Sequence, residues 1–159
     1  MRIVWAGKLV GVAVSGAIAA MVTNGVAAAD QPSELNRARA IMELGYEQFA
    51  EVVRSAPFDW STDGCSSPVV ADPYPKTFGP ACKIHDFGYR NFGGHGLRLS
   101  ADESTRKWID DRFMDEMNRI CKTKSGLMNR NGESPRSECV GAAQVYYSAV
   151  RREGGKYFF

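Results

Sequence analysis

CKIHDFGY, at residues 82–89, is the most informative stretch of this sequence. A helix places residues three and four apart on one face. The side chains that share a face at this spacing are Cys82, His85, Asp86 and Tyr89. Since a buried imidazole or carboxylate needs polar partners, this face is unusual for a packed core. We therefore predict a helix over residues 81–92 whose polar face belongs to a functional site.

The residues before this helix are expected to form a long loop. Five of the seven prolines fall within residues 56–80. A structureless segment of this length inside a compact domain is usually functional or disordered. Anchoring of the loop through Cys65 favours a functional role, and its first part, FDWSTDGC at residues 58–65, carries Asp63 and Gly64.

The chain has four cysteines, an even number that favours disulfides over free thiols in an exported protein. A zinc site usually contains closely spaced cysteine pairs, whereas the spacings here are 17, 39 and 18 residues. Four cysteines allow three pairings. We favour Cys65–Cys82 with Cys121–Cys139, because the first bond would hold the loop one helical turn before His85.

This pairing would bring Asp63 close to Asp86. Two carboxylates held together repel each other unless a cation lies between them. Carboxylates on a loop, supplemented by backbone carbonyls, are the ligands that calcium takes. Gly64 permits the unusual backbone angles that turn a carbonyl inward. The residues therefore predict a calcium site formed by Asp63, Gly64 and Asp86.

Helical patterns continue along the rest of the chain. Apolar residues recur at threes and fours over residues 35–52, as on one helix face. Ser100 and Glu103 match a capping box that opens a helix running to Cys121. A further helix ends at Gly154-Gly155. Its apolar face is formed by Cys139, Ala142, Ala143, Tyr146, Ala149 and Val150. No strand-length alternation is present, so we predict an all-α fold.

Two other segments are expected to face solvent. Arg112, Asp115, Glu116 and Arg119 have the spacing of a solvated, ion-paired helix face. The tail at residues 156–159 combines aromatic and cationic side chains that suit a lipid interface. A disordered terminus is the interpretation that we favour for this tail.

The first thirty residues differ in composition from the rest. Arg2 and Lys8 accompany an almost wholly apolar stretch over residues 9–22, and Ala27-Ala28-Ala29 supplies the small residues of a cleavage site. The apolar run is shorter than the ~20 residues that a membrane-spanning helix needs. We therefore predict a signal peptide at residues 1–29 and a secreted protein.

Residues 30–159 are expected to form one domain, with a candidate pro-segment within residues 30–56. The whole chain has 20 Lys and Arg against 18 Asp and Glu, and two of the basic residues lie in the predicted leader. Binding to nucleic acid usually demands a concentrated basic surface. The balanced charge argues against such a partner, and a domain of this size is expected to be a monomer.

Three segments resemble the prokaryotic and fungal secreted phospholipase A2 family: FDWSTDGC, ACKIHDFGYRN and WIDDRFMDEMNRIC. The order of the four cysteines is also similar, and the resemblance covers about residues 58–150. It implies a small disulfide-stapled helical domain in which two long antiparallel helices carry the site beside a calcium-binding loop. It also implies Ca²⁺-dependent hydrolysis of the sn-2 ester of glycerophospholipids to lysophospholipid and free fatty acid.

The resemblance further implies a role for each site residue. His85 is the general base that activates water, and Asp110 orients it. Asp63 and Asp86 supply carboxylates to Ca²⁺, and Gly64 supplies its backbone carbonyl.

Asp111 is the alternative partner for the histidine, because the spacing from histidine to aspartate is a few residues longer here than in the family. We prefer Asp110, because helical spacing places it with Phe113 and Met117. Two other classes of function stay open. One is a non-catalytic calcium- or lipid-binding relative, and the other is a small disulfide-stapled structural or effector protein.

The expected partner is phospholipid at a membrane or micelle interface, through peripheral contact only. Candidates for the docking surface are Lys76, Lys83 and Arg90, which lie near the predicted site in the sequence.

Overall fold

The structure is a computed structural model that describes residues 31–65 and 73–159, with side chains from Ser33 onward. The predicted signal peptide at residues 1–29 lies outside the described residues. Within those ranges the chain forms helices and no strand, as predicted. The helices are α1 (Gln31–Met42), α2 (Tyr46–Ala50), α3 (Tyr74–Thr77), α4 (Gly79–Phe92), α5 (Glu103–Lys122), α6 (Pro135–Glu153) and α7 (Gly155–Phe158).

Helices α4 and α5 pack antiparallel and form the centre of the molecule. His85 in the second turn of α4 meets Asp110 of α5, and Phe92 at the end of α4 meets Trp108 with ring centroids 5.6 Å apart. Residue numbers therefore increase along α4 in the direction in which they decrease along α5, as expected for antiparallel helices. The two helices approach closely at Gly88, where a Cβ atom would lie 2.7 Å from Ile109 Cγ2. Helix α6 packs against the remaining side of α5.

Two disulfides staple this arrangement, and both agree with the predicted pairing. Cys65–Cys82 joins the loop before α3 to the first turn of α4. Cys121–Cys139 joins the end of α5 to the first turns of α6. The predicted fold class is therefore confirmed, with two long antiparallel helices at its core.

The start of α5 differs from the predicted capping box. Asp102, and not Ser100, is the N-cap residue, and its carboxylate accepts from the backbone N–H of Thr105 at 2.8 Å. The hydroxyl of Ser100 donates to the same carboxylate at 2.8 Å. A carboxylate is a stronger acceptor than a hydroxyl and suits the positive end of the helix dipole, so Asp102 takes the capping position.

The apolar periodicity over residues 35–52 does not form one helix. Helix α1 ends at Met42, and the chain turns before α2 begins at Tyr46. The guanidinium of Arg112 donates to the carbonyls of Met42 and Leu44, each at 3.2 Å, and so satisfies backbone groups that the helix has released. Contacts distant in sequence therefore override the local pattern here.

The C-terminal tail is ordered, contrary to the expected disorder. It forms α7, in which Phe158 is completely buried. The ring of Phe158 packs on Tyr89 at 5.1 Å, and the N–H of Gly94 donates to the Phe158 carbonyl at 2.6 Å. Phe158 therefore covers the end of α4. No helix in the described ranges is both long enough and apolar enough to cross a bilayer.

Candidate active site

His85 and Asp110 form a buried pair between α4 and α5. His85 Nε2 lies 2.8 Å from Asp110 Oδ1, with 8% of the His85 surface exposed and none of Asp110. The imidazole packs against the rings of Tyr89 and Phe113, with centroids 4.2 and 4.7 Å away. These contacts hold the imidazole in one orientation. The other ring nitrogen, Nδ1, is then the one that can exchange a proton with a ligand.

The structure places Asp110, and not Asp111, against the histidine. Asp111 lies on the neighbouring side of α5, where it pairs with Lys107 Nζ at 2.6 Å and accepts from the hydroxyl of Tyr147 at 2.8 Å. The helical-spacing argument for Asp110 therefore agrees with the geometry.

Both oxygens of Asp110 are fully engaged. Oδ1 accepts from the Tyr89 hydroxyl at 2.8 Å in addition to His85. Oδ2 accepts from Arg151 at 2.7 Å and from Arg106 at 3.4 Å. Burial alone would raise the pKa of Asp110, but the hydrogen bonds and charges of His85, Arg151 and Tyr89 outweigh burial and hold that pKa below its usual value. Asp110 is thus kept ionised beside the imidazole.

Glu103 fixes the two arginines behind Asp110. Its carboxylate receives hydrogen bonds from Arg106 at 2.7 and 2.9 Å and from Arg151 at 2.5 Å. These contacts lower the pKa of Glu103 to about 2. Sequence reasoning missed this group. Arg106 could have been found from its i,i+4 spacing to Asp110, whereas Arg151, 41 residues away, carries no local signal.

The loop before Cys65 lies against the outer face of α4. The hydroxyl of Thr62 donates to Asp86 Oδ2 at 2.5 Å. Burial raises the pKa of Asp86, and the charge of Asp63 adds to this, while the Thr62 hydrogen bond opposes it. Thr62 directly precedes Asp63 in the chain, so its hydrogen bond to Asp86 brings this part of the loop to the helix. Gly64 has a φ of +73°, a backbone conformation that side-chain-bearing residues rarely adopt.

Two contacts from α4 hold this loop in place. Arg90 donates from Nε to the carbonyl of Ser61 at 2.8 Å and pairs with Asp63 at 3.1 Å. Asn91, completely buried, both accepts from the N–H of Asp59 and donates to its carbonyl, each at 2.8 Å. Arg90, considered above as a docking residue, therefore contacts the loop, while Lys76 and Lys83 are exposed. Asn91 was not singled out from the sequence.

The donors in this loop suit a hard cation. Within residues 31–65 and 73–159, no three His, Cys, Asp or Glu side chains come together as a metal site. The predicted donors are the carboxylates of Asp63 and Asp86 and the Gly64 carbonyl. All three are oxygen ligands, which fits calcium rather than a thiolate- or imidazole-preferring metal. Such a partial set leaves coordination positions for other ligands.

The prediction that Glu116 lies on a solvated, ion-paired face of α5 is wrong. This residue is completely buried, whereas a solvated face was expected. Its carboxylate accepts from the N–H of Tyr46 at 2.9 Å, from Arg112 at 3.0 Å and from Arg119 at 3.3 Å. Tyr46, which supplies one of those hydrogen bonds, is the first residue of α2, so the start of α2 covers this part of α5. The arginines neutralise the buried charge.

Comparison with known proteins identifies the family of this chain. A family model described as prokaryotic phospholipase A2 matches residues 39–154. A secretory phospholipase A2 of Beauveria bassiana is 35% identical over 108 residues, which are 68% of this chain and 50% of the relative. A secretory phospholipase A2 of Arthroderma benhamiae is 40% identical over 97 residues, 60% of each protein. The chain thus spans between half and three fifths of these curated relatives. It belongs to the prokaryotic phospholipase A2 family.

Proposed function

We propose that the protein is a secreted, calcium-dependent phospholipase A2 that hydrolyses the sn-2 ester of glycerophospholipids to lysophospholipid and free fatty acid. His85 activates water, Asp110 orients His85, and Asp63, Gly64 and Asp86 hold the calcium ion. The buried hydrogen bond of 2.8 Å between His85 Nε2 and Asp110 Oδ1 carries this proposal. Both relatives compared above are named secretory phospholipase A2.

The imidazole acts through its Nδ1 atom. When Nε2–H of the neutral imidazole donates to the ionised Asp110, Nδ1 is the nitrogen that can take a proton from water as that water attacks the ester carbonyl. The imidazolium formed in this step is stabilised by the ionised Asp110, which itself stays deprotonated. His85 then returns the proton to the leaving alkoxide of the lysophospholipid. The Tyr89 hydroxyl keeps the Asp110 carboxylate aligned throughout.

Asp63, Asp86 and the Gly64 carbonyl would hold the calcium ion, and Asp86 follows His85 directly in α4. When bound, the ion supplies a positive charge that attracts the substrate phosphate and stabilises the oxyanion. The Cys65–Cys82 disulfide fixes the distance between the loop and the helix. Asp63 would have to give up its ion pair with Arg90 to bind the metal, and both side chains are partly exposed, so they have room to separate.

The first test compares wild-type protein with His85→Asn. Release of fatty acid from phospholipid labelled separately at sn-1 and sn-2 is measured in mixed micelles with calcium and with a chelator. We expect sn-2 release by the wild type in calcium only, and a loss of about 100-fold or more in the variant, since general-base catalysis contributes roughly 10²–10⁴-fold. Near wild-type turnover in His85→Asn would disprove the assignment of the base.

Calcium binding is tested separately through thermal stability. A ligand that binds the folded state raises Tm, so calcium is expected to raise Tm in both the wild type and His85→Asn. Asp63→Asn should lose this increase. A calcium-dependent rise in Tm without any hydrolysis would instead identify a non-catalytic calcium-binding relative. Hydrolysis unaffected by the chelator would exclude the proposed role of the metal.

A further inference from the structure

The connection between α5 and α6, residues 123–134, exposes two neighbouring apolar side chains. Leu127 is 93% exposed and Met128 is 71% exposed. Single exposed apolar residues are common on protein surfaces. An adjacent pair at the tip of a loop is a more specific feature, because both side chains can enter an apolar phase together.

This loop is held in shape by its own hydrogen bonds. The side-chain oxygen of Asn129 accepts from the N–H groups of Asn131 and Glu133, at 2.8 and 2.9 Å. The backbone N–H of Asn129 donates to the Glu133 carbonyl at 2.7 Å. The turn that follows Leu127 and Met128 is therefore ordered, and it presents them to solvent without a collapse onto the core.

The loop and the two helix ends that flank it carry four positive charges. Four basic residues within residues 122–136 are exposed: Lys122, Lys124, Arg130 and Arg136. Within the described part of the chain none of them forms a salt bridge, since the ion pairs of α5 and α6 involve other residues. The acidic residue of the same stretch, Glu133, hydrogen-bonds to Asn129. Exposed apolar side chains on a segment that also carries exposed cations without salt bridges suit an anionic lipid surface.

The base of the loop packs against the start of α4, the helix that carries His85. The Cys121–Cys139 disulfide at its base packs in one core cluster with Cys82, which precedes His85 by one helical turn. Tyr74 of α3 packs against the same cluster, so α3 is a neighbour of the disulfide at the base of the loop. A surface that bound this loop would therefore lie near the site.

We propose that Leu127 and Met128, with Lys122, Lys124, Arg130 and Arg136, form a basic tip that docks on anionic phospholipid bilayers. The apolar pair enters the interface and the four cations contact phosphate groups. This inference rests on the proposed function, because it names the surface from which substrate reaches the site. It differs from the docking residues suggested by sequence position alone, Lys76, Lys83 and Arg90.

The test measures sedimentation with vesicles in the presence of a calcium chelator, so that hydrolysis does not alter the lipid. Vesicles contain either phosphatidylcholine alone or equal parts of phosphatidylcholine and phosphatidylglycerol. Leu127→Ser/Met128→Ser should weaken binding to the mixed vesicles about tenfold, as expected for two partly buried apolar side chains. Lys124→Gln/Arg130→Gln should weaken it about fivefold per charge and leave binding to phosphatidylcholine unchanged.

Val53→Ser is the matched control, because Val53 is 85% exposed and lies outside the tip. It should bind like the wild type. Each variant is also assayed with calcium on dispersed short-chain phospholipid, where wild-type rates show that the variant is folded. The proposal is overturned if the tip variants bind mixed vesicles within twofold of the wild type, or if the wild type does not bind them.

A second copy of the chain is the competing occupant of the apolar pair. Sedimentation equilibrium of the wild type and of Leu127→Ser/Met128→Ser separates the two cases. A wild-type dimer that the double substitution dissociates would overturn the lipid proposal, and a monomer in both supports it. Absence of wild-type hydrolysis of dispersed substrate would refute the proposed activity, whereas a failure confined to vesicle binding would refute the basic tip alone.

Discussion

Asp110 stands out among the residues of this site because four groups converge on one buried carboxylate. Two of them, His85 and Tyr89, bind Oδ1, and Arg106 and Arg151 bind Oδ2. A carboxylate with only one oxygen restrained can rotate about its last bond. The arginines remove this freedom and keep the carboxylate ionised, so they act as positioning residues for the histidine.

Replacement of Arg151 by Gln tests this idea. The substitution removes the shorter of the two Oδ2 contacts, at 2.7 Å. We expect kcat to fall about tenfold, equivalent to about 1.4 kcal/mol, with KM changed less than twofold. Stability should fall by about 1–3 kcal/mol, because a hydrogen bond to a buried charged group is lost. Steady-state kinetics and denaturant unfolding measure these two effects.

The matched control is Arg152→Gln, since the neighbouring Arg152 pairs with Glu153 on the surface at 3.0 Å. This variant should behave like the wild type in both measurements. Arg151→Lys keeps the charge without the planar group and should recover part of the lost kcat. Equal losses in both Gln variants, or a change in KM alone, would contradict a positioning role for Arg151.

Local sequence patterns pointed to some residues of the candidate site and not to others. His85 and Asp86 were predicted because they share a helix face, and the Cys65–Cys82 pairing then indicated that Asp63 lies nearby. The contact of Arg151 with Asp110 and the burial of Glu116 were not predicted. Both depend on which helices pack together, and local sequence patterns do not show this. An exposed arginine and a buried one look alike until the covering segment is known.

At the level of single elements, the first turn of α5 is stabilised by one carboxylate. Asp102 accepts from the Thr105 N–H and from the hydroxyls of Ser100 and Ser104. The hydrogen bonds from Ser104, Thr105 and Ser100 hold the pKa of Asp102 well below its usual value of 3.8. Helix α5 carries Asp110 two turns further on, so this cap also supports the site.

Asp102→Ala should lower the unfolding free energy at neutral pH by about 1 kcal/mol, the typical value of an N-cap. A lowered folded-state pKa means that this contribution is complete above 3.8 and is lost as the pH falls towards the folded-state value. The difference between wild type and variant should therefore shrink in acid. Urea unfolding at neutral and acidic pH measures it.

Asp102→Asn provides the control, because an amide oxygen still caps the helix but does not titrate in this range. Its stability at neutral pH should lie close to that of the wild type, and its stability relative to Asp102→Ala should stay constant in acid. A constant difference between wild type and Asp102→Ala at all pH values would show that the ionised form does not provide the stabilisation.

The boundaries of the helices were predicted well where the signal was local and poorly where it was not. The end of α4 before Gly93 and the end of α6 at Gly154 follow from glycine at the helix terminus. The break between α1 and α2 was missed, because side chains of α5 satisfy that turn. The order of the tail was missed as well, because Phe158 packs on a residue nearly seventy positions earlier, Tyr89.

At the scale of the whole molecule, the two disulfides close loops of similar length but lie at different places in the fold. Cys65–Cys82 and Cys121–Cys139 close sequence separations of 17 and 18 residues. Since the loss of loop entropy in the unfolded chain depends on loop length, each bond should stabilise the fold by a similar amount, about 3 kcal/mol. Only the first bond joins the loop that carries Asp63 and Gly64 to the helix that carries Asp86.

Removal of each bond separates global stability from the local function of the loop. Cys65→Ser/Cys82→Ser and Cys121→Ser/Cys139→Ser should lower Tm by similar amounts in the absence of calcium, because the closed loops are nearly equal in length. The second variant should keep the rise in Tm that calcium produces, and the first should lose most of it. Loss of the disulfide lets Asp63 move away from Asp86, so that each carboxylate binds the ion alone. An equal calcium response in the two variants would mean that the contacts of Arg90 and Asn91 position the loop without help from the disulfide.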